Sequence, residues 1–252
     1  MTDRKKMNNI YTFLGLLTNC MTRFFSVAGW RYVFGCSLLA ISRFFKLLTF
    51  FLPIKIFLVM NGEKVPEYLA TLFPKLEFDS LILILVLLVP ILYVCFFIST
   101  IAHNRLVGVH LELFLKSGET TLKSIKKLHK HTVKAFADFG VIVVSLVMLL
   151  LVDYPIAIIC LIIIIITMIF FDKTGVLFGA VDRILFARMP VKQFIELVTS
   201  VNFLFIFFFI VIEFLFFDTG IYAAIFALLV GRLMCQALHR LSIEFIYIAK
   251  FF

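Results

Sequence analysis

Six long apolar runs, separated by shorter polar and basic stretches, set the pattern of this chain. A hydrocarbon core about 30 Å thick takes about 20 apolar residues in a helix, fewer when polar residues at the ends snorkel. The runs at 38–60, 81–102, 136–152, 156–171, 201–217 and 221–238 meet that requirement and predict six spans. The third and fourth are joined by Asp153-Tyr154-Pro155, the fifth and sixth by Asp218-Thr219-Gly220, so each pair must form a tight antiparallel hairpin. Pro155 suits the first turn of the helix it opens.

The polar stretches carry structure of their own. Ahead of the first span, Ile10, Phe13, Leu14, Leu17, Met21 and Phe24 recur at helical spacing, with Thr12, Asn19, Thr22, Arg23 and Ser26 elsewhere on the wheel. This predicts an amphipathic helix in the membrane interface, read as an anchor. Between spans two and three, 103–115 and 120–134 are polar but helix-compatible, so two spans should continue out of the membrane and turn at Lys116-Ser117-Gly118-Glu119. Residues 172–200 are expected to repeat this in shorter form, with a break near Met189-Pro190.

Composition removes the soluble alternatives. Hydrophobic residues make up 63% of the 252, aromatic residues 16% and charged residues only 15%. A soluble domain of this size needs about a quarter of its residues charged, so the chain belongs in a bilayer. The net charge of +9 then reads as membrane orientation and not as nucleic-acid binding. Segments 1–37, 103–135, 172–200 and 239–252 hold most of the basic residues, whereas the opposite side has Lys64 and Lys75 against Glu63, Glu67, Glu77, Asp79, Asp153 and Asp218. Both termini are therefore expected in the cytosol, with residues 1–37 as the N-terminal segment and 38–252 as the six-helix domain, in the bacterial inner (cytoplasmic) membrane. Asn19 and Arg23 interrupt the apolar core that a cleaved signal would need. Cys20, Cys36, Cys95, Cys160 and Cys235 are scattered, without a CxxC, and predict neither disulfide nor metal.

The candidate chemistry is sparse. No Gly-Lys pair exists, which excludes a P-loop, and HExxH, GxSxG and a strand-borne GxGxxG are equally absent, so no catalytic site, enzyme activity or cofactor is expected. His103, His110, His129, His131 and His239 fall in basic helices or near a span end, and are read as solvated or interfacial, not as haem ligands. Ionisable residues inside spans weigh more, because each costs a few kcal/mol unless paired or facing water. Arg43 and Lys46 are expected to snorkel toward headgroups. Lys55 and Glu213 lie at nearly equal depth and could pair, clamping two helices, or Glu213 could carry a proton or reach outer water from the interface. Arg232, eleven residues into the sixth span, should face a cavity, a carboxylate or backbone carbonyls. Ala223, Ala227 and Gly231 form a small-residue packing face on that span, and Gly175 and Gly179 a GxxxG after the fourth.

Together these parts resemble the six-helix transmembrane region of ABC exporters. The resemblance rests on the interfacial elbow helix, a first span with Pro53, the Phe114-Leu115-Lys116-Ser117-Gly118-Glu119 stretch, the Asp153-Tyr154-Pro155 turn and a sixth span starting from Gly220. It implies that Ser117, Gly118 and Glu119 open a cytosolic coupling segment, and that two such units, a homodimer or a pair with a similar six-helix chain, enclose a central path. The chain departs from the family in lacking a nucleotide-binding domain and in having shorter cytosolic arms. It is thus closest to stand-alone six-helix regions without an ATPase, with proton-driven peptide transporters as a second comparison. The expected function is a transport subunit for an amphipathic or peptide-like substrate, working with a separate ATPase or another membrane complex as partner. The alternative is a membrane anchor or assembly subunit of a larger complex.

Overall fold

The computed structural model describes residues 15, 18, 22, 25, 26, 29–62, 78–116, 122–176, 183, 184, 189–217 and 220–249. Their elements are α1 (Trp30–Gly62), α2 (Phe78–Lys116), α3 (Leu122–Val152), α4 (Tyr154–Lys173), a two-residue antiparallel ladder of β1 (Arg183–Ile184) and β2 (Met189–Pro190), then α5 (Val191–Phe216) and α6 (Ile221–Ala249). All six helices are long and apolar enough to cross a membrane, which makes the chain an all-α integral membrane protein.

The helices overrun the apolar runs that announce them. At 1.5 Å per residue, the 39 residues of α2 and the 31 of α3 reach about 58 and about 46 Å, against a core of about 30 Å. Both therefore project beyond the hydrocarbon at the lysine-rich end of the bundle, as the sequence predicts. Hydropathy marks only the part of a helix that meets lipid, whereas the backbone ladder continues into polar residues. For the same reason α1 begins at Trp30, ahead of 38, and α6 continues to Ala249, past 238.

Local chemistry sets the ends. Asp153, extended at φ −155°, accepts a hydrogen bond from the Ile156 amide at 3.3 Å and caps α4, with Pro155 in the first turn. At the other end Gly175 adopts φ +69° while the Val176 amide donates to Phe171 O at 3.2 Å, the reversal that stops a helix. Gly175 is thus a stop signal, and Gly179 lies outside the described residues. The expectation that 172–200 repeats this arrangement in shorter form holds in part: the break falls at Met189-Pro190, where β2 leads into α5, but α4 ends at Lys173 and carries no helical extension. Residues 15, 18, 22, 25 and 26 are helical, and Gly29, at φ +59°, separates them from α1. Most of the predicted interfacial helix, and the Ser117-Gly118-Glu119 stretch, lie outside the described residues.

Packing divides the bundle unequally. The most extensive contact is α1 on α2, followed by α3 on α6 and α5 on α6, while α2 barely touches α3. The main core lies among α3 to α6 and includes Val141, Leu149, Ile156, Phe171, Ile206, Met234, Leu238 and Phe245, with Ala40 contributed by α1. A separate cluster of Leu52, Val59, Leu81 and Leu85 joins α1 to α2 alone. Leu83, Leu87, Ile91, Val94 and Ile98 form an exposed apolar stripe on α2, the face a bilayer requires.

Candidate functional site

Three helices meet around one carboxylate. Asp138 of α3 has a side chain only 1% exposed, and its Oδ1 accepts hydrogen bonds from Arg43 Nη1 of α1 and from Arg240 Nε of α6, the latter at 2.9 Å. Two guanidiniums on one carboxylate leave the group net positive inside a low-dielectric bundle, where removing a partner is far more damaging than at a surface. Asp138 Oδ2 and Arg240 Nη2 are buried without a hydrogen-bond partner among the described residues. The triad ties α1 to the α3–α6 core.

One to two turns further toward the lysine-rich end, the same α3–α6 seam carries a second polar cluster. His131 hydrogen-bonds Glu244 through Nδ1, Lys134 Nζ lies 3.7 Å from the other Glu244 oxygen, and the His131 ring stacks on Tyr247 with centroids 4.7 Å apart. Lys192 of α5 donates to Tyr247 Oη at 2.6 Å and so draws α5 into the cluster. Deeper in the bundle, Asn202 Nδ2 of α5 donates to Thr167 Oγ1 of α4 at 2.8 Å, a buried interhelical hydrogen bond of the kind that holds membrane helices together.

Between α5 and α6 runs an open groove of about 600 Å³. Its walls are Glu196, Thr199, Ser200 and Phe203 from α5, and Arg232, Cys235, Gln236, His239 and Arg240 from α6. The spacing explains the surface, since 232, 236 and 239 share one helical face, as do 196, 200 and 203. Arg232 is about 16 Å from the start of α6 and Glu196 about 8 Å from the start of α5, so the groove runs from the lysine-rich end to about mid-membrane. Arg240 belongs to both features: it lines the groove and is held by Asp138. His239 Nδ1 is buried without a hydrogen-bond partner among the described residues.

The sequence-derived candidates distribute as follows. Arg232 lines this groove, the cavity-facing position its depth demands. Arg43 pairs with Asp138, which corrects the reading that it snorkels, while Lys46 is exposed. Lys55 is half-buried in α1, and Glu213 sits beside Asp153 at the α3–α4 turn. Ala227 and Gly231 are buried, and a Cβ on Gly231 would lie 3.0 Å from Ile206 Cγ2. At Gly231 this small-residue face, which also holds Ala223, therefore meets α5 of the same chain. His103 and His129 are buried, not solvated: His103 Nδ1 hydrogen-bonds Gly35 O at 2.7 Å, and His129 lies edge-on to Tyr32. Among the described residues no group of three or more His, Cys, Asp or Glu side chains is placed to hold a metal ion.

Sequence reasoning missed Asp138, Arg240, His131 and Glu244 as a set. Asp138 carried a signal, being the one carboxylate within the third apolar run. Arg240 carried none, because the end of hydropathy put it outside the sixth span. Comparison with protein-family models, with curated proteins and with solved structures gave no match.

Proposed function

We propose that this chain is a transport-type membrane protein in which the α5–α6 groove is the surface that meets the solute. The observation that carries the reading is the groove itself, a space of about 600 Å³ into which charged and polar side chains project from helices otherwise clothed in Phe, Leu and Ile. Such a volume matches small-molecule sites, and polar groups at this depth are expensive unless they face water or a ligand. In this reading two six-helix units of ABC-exporter type stand together and enclose the groove between them, with an interfacial elbow helix, both termini in the cytosol and the chain in a bacterial inner membrane. The seam at Gly231 is already used within the chain, so pairing rests on the groove alone. Amphipathic or peptide-like solutes suit a groove with polar side chains on both walls that ends at Phe203, next to exposed aromatic side chains of α5.

The test is water access. In a cysteine-free background, Ser200→Cys and Gln236→Cys should react with a membrane-impermeant thiol reagent added from the cytosolic side, whereas Phe205→Cys, exposed on the opposite face of α5, should not. Absence of labelling at both groove positions would mean that lipid or protein fills the groove and would remove the transport reading. Mass measurement in mild detergent separates the alternatives: a particle of two copies fits transport, whereas a large complex of foreign chains fits an anchor or assembly subunit.

A further inference from the structure

We infer that the α5–α6 groove binds an amphiphilic anion, a molecule with a phosphate or carboxylate headgroup and an apolar tail; this rests on the groove being the solute surface. Charge comes first. Around the groove and the triad behind it, the guanidiniums of Arg43, Arg232 and Arg240 face the carboxylates of Asp138 and Glu196, leaving one positive charge uncompensated. Among the described residues Arg232 forms no ion pair, and it is exposed at mid-membrane depth, where an uncompensated guanidinium is costly. An anion supplies what it lacks.

Geometry narrows the headgroup. Asp138 fixes Arg240 through Nε, so its guanidinium is held in place before any ligand arrives. Arg240 Nη2 and His239 Nδ1 are both buried without partners among the described residues, and both line or adjoin the groove through their own side chains. A multi-oxygen headgroup such as a phosphate can accept from several guanidinium N–H groups at once, and guanidinium is the side chain best matched to it. Thr199, Ser200 and Gln236 add neutral polar groups on the same walls, while Glu196, an electrostatic neighbour of His239, is the one repulsive group. The tail follows from the groove's inner limit at Phe203, beyond which Leu204, Phe205, Phe207 and Phe208 of α5 are exposed. A headgroup at Arg232 and Arg240 thus places its tail among aromatic side chains and lipid.

The experiment measures thermal unfolding of the purified full chain in a neutral detergent, titrated separately with phosphatidylglycerol, phosphatidylcholine, dodecyl phosphate and inorganic phosphate. Phosphatidylglycerol or dodecyl phosphate should raise Tm, and phosphatidylcholine and inorganic phosphate should not. A rise with the lipid alone identifies a bilayer source, a rise with dodecyl phosphate alone a smaller soluble amphiphile, and both outcomes support the headgroup class. Arg232→Gln should weaken the apparent affinity about tenfold or more, the loss expected of a charge-assisted hydrogen bond. Glu196→Gln, which removes the repulsive carboxylate and is exposed enough to leave folding intact, should tighten it. No rise with either anion, an equal rise with phosphatidylcholine, or a rise unchanged in both variants overturns the inference. Because this readout is binding, it fails independently of transport: thiol access to the groove without anion binding leaves the transport reading standing alone.

Discussion

Asp138 answers with one oxygen to guanidiniums from two other helices, so the three side chains cannot be exchanged one for one. Asp138→Asn keeps the shape and removes the only negative charge in the triad, leaving two partly exposed guanidiniums without their carboxylate; the expected loss is about 2–3 kcal/mol, below that of a fully buried pair, read as a drop in Tm in detergent. Arg240→Gln should be milder, because Arg43 still neutralises Asp138. Equal effects would show that the carboxylate is not the centre of the group. This pairing was half legible: Arg43 stood out as an intramembrane cation, but its partner was passed over. A hydropathy boundary at 136 places Asp138 close enough to a polar flank to look like an interfacial residue. Sequence distance hid the rest, since Arg43, Asp138 and Arg240 sit on three different helices, and only packing brings them together.

At Gly231 an added Cβ would meet Ile206 of α5, a β-branched side chain with little freedom to turn away. Gly231→Ala should cost about 1 kcal/mol and Gly231→Leu about 3 kcal/mol or more, as overpacking strains a filled core. Between α4 and α5, Asn202→Val and Thr167→Val should each cost about 0.6 kcal/mol, with the double variant no worse than either single one beyond lost packing, because both remove the same hydrogen bond. A fully additive double variant would argue against that bond. At this scale the sequence was a good guide. Apolar run length announced all six helices, Pro155 marked the start of α4, and the small residues on α6 marked a close contact. The β1–β2 ladder was not legible, since two paired residues per strand leave no alternating pattern to read. Nor was the partner of the small-residue face, because such a face says that a helix approaches and not which one.

For the whole molecule, the lysine-rich ends of α2 and α3 fix one side of the membrane. In a cysteine-free background, Lys130→Cys on exposed α3 should be labelled only from the cytosolic side, and Tyr154→Cys at the opposite turn only from outside. Reversed labelling would invert the topology and with it the access route to the groove. The bundle's unequal packing bears on how the chain can be assembled. Helix α2 leans almost wholly on α1, and α1 in turn reaches the α3–α6 core through Ala40, Tyr32 and the Arg43–Asp138 pair. Covalent continuity between α2 and α3 thus contributes little that side chains do not also supply. A gene cut between 118 and 119 and expressed as two polypeptides should still yield one complex that co-purifies, and the complex should dissociate when Asp138 is neutralised. The ion triad is then less a brace within a finished protein than the recognition code by which a two-helix piece finds its four-helix remainder.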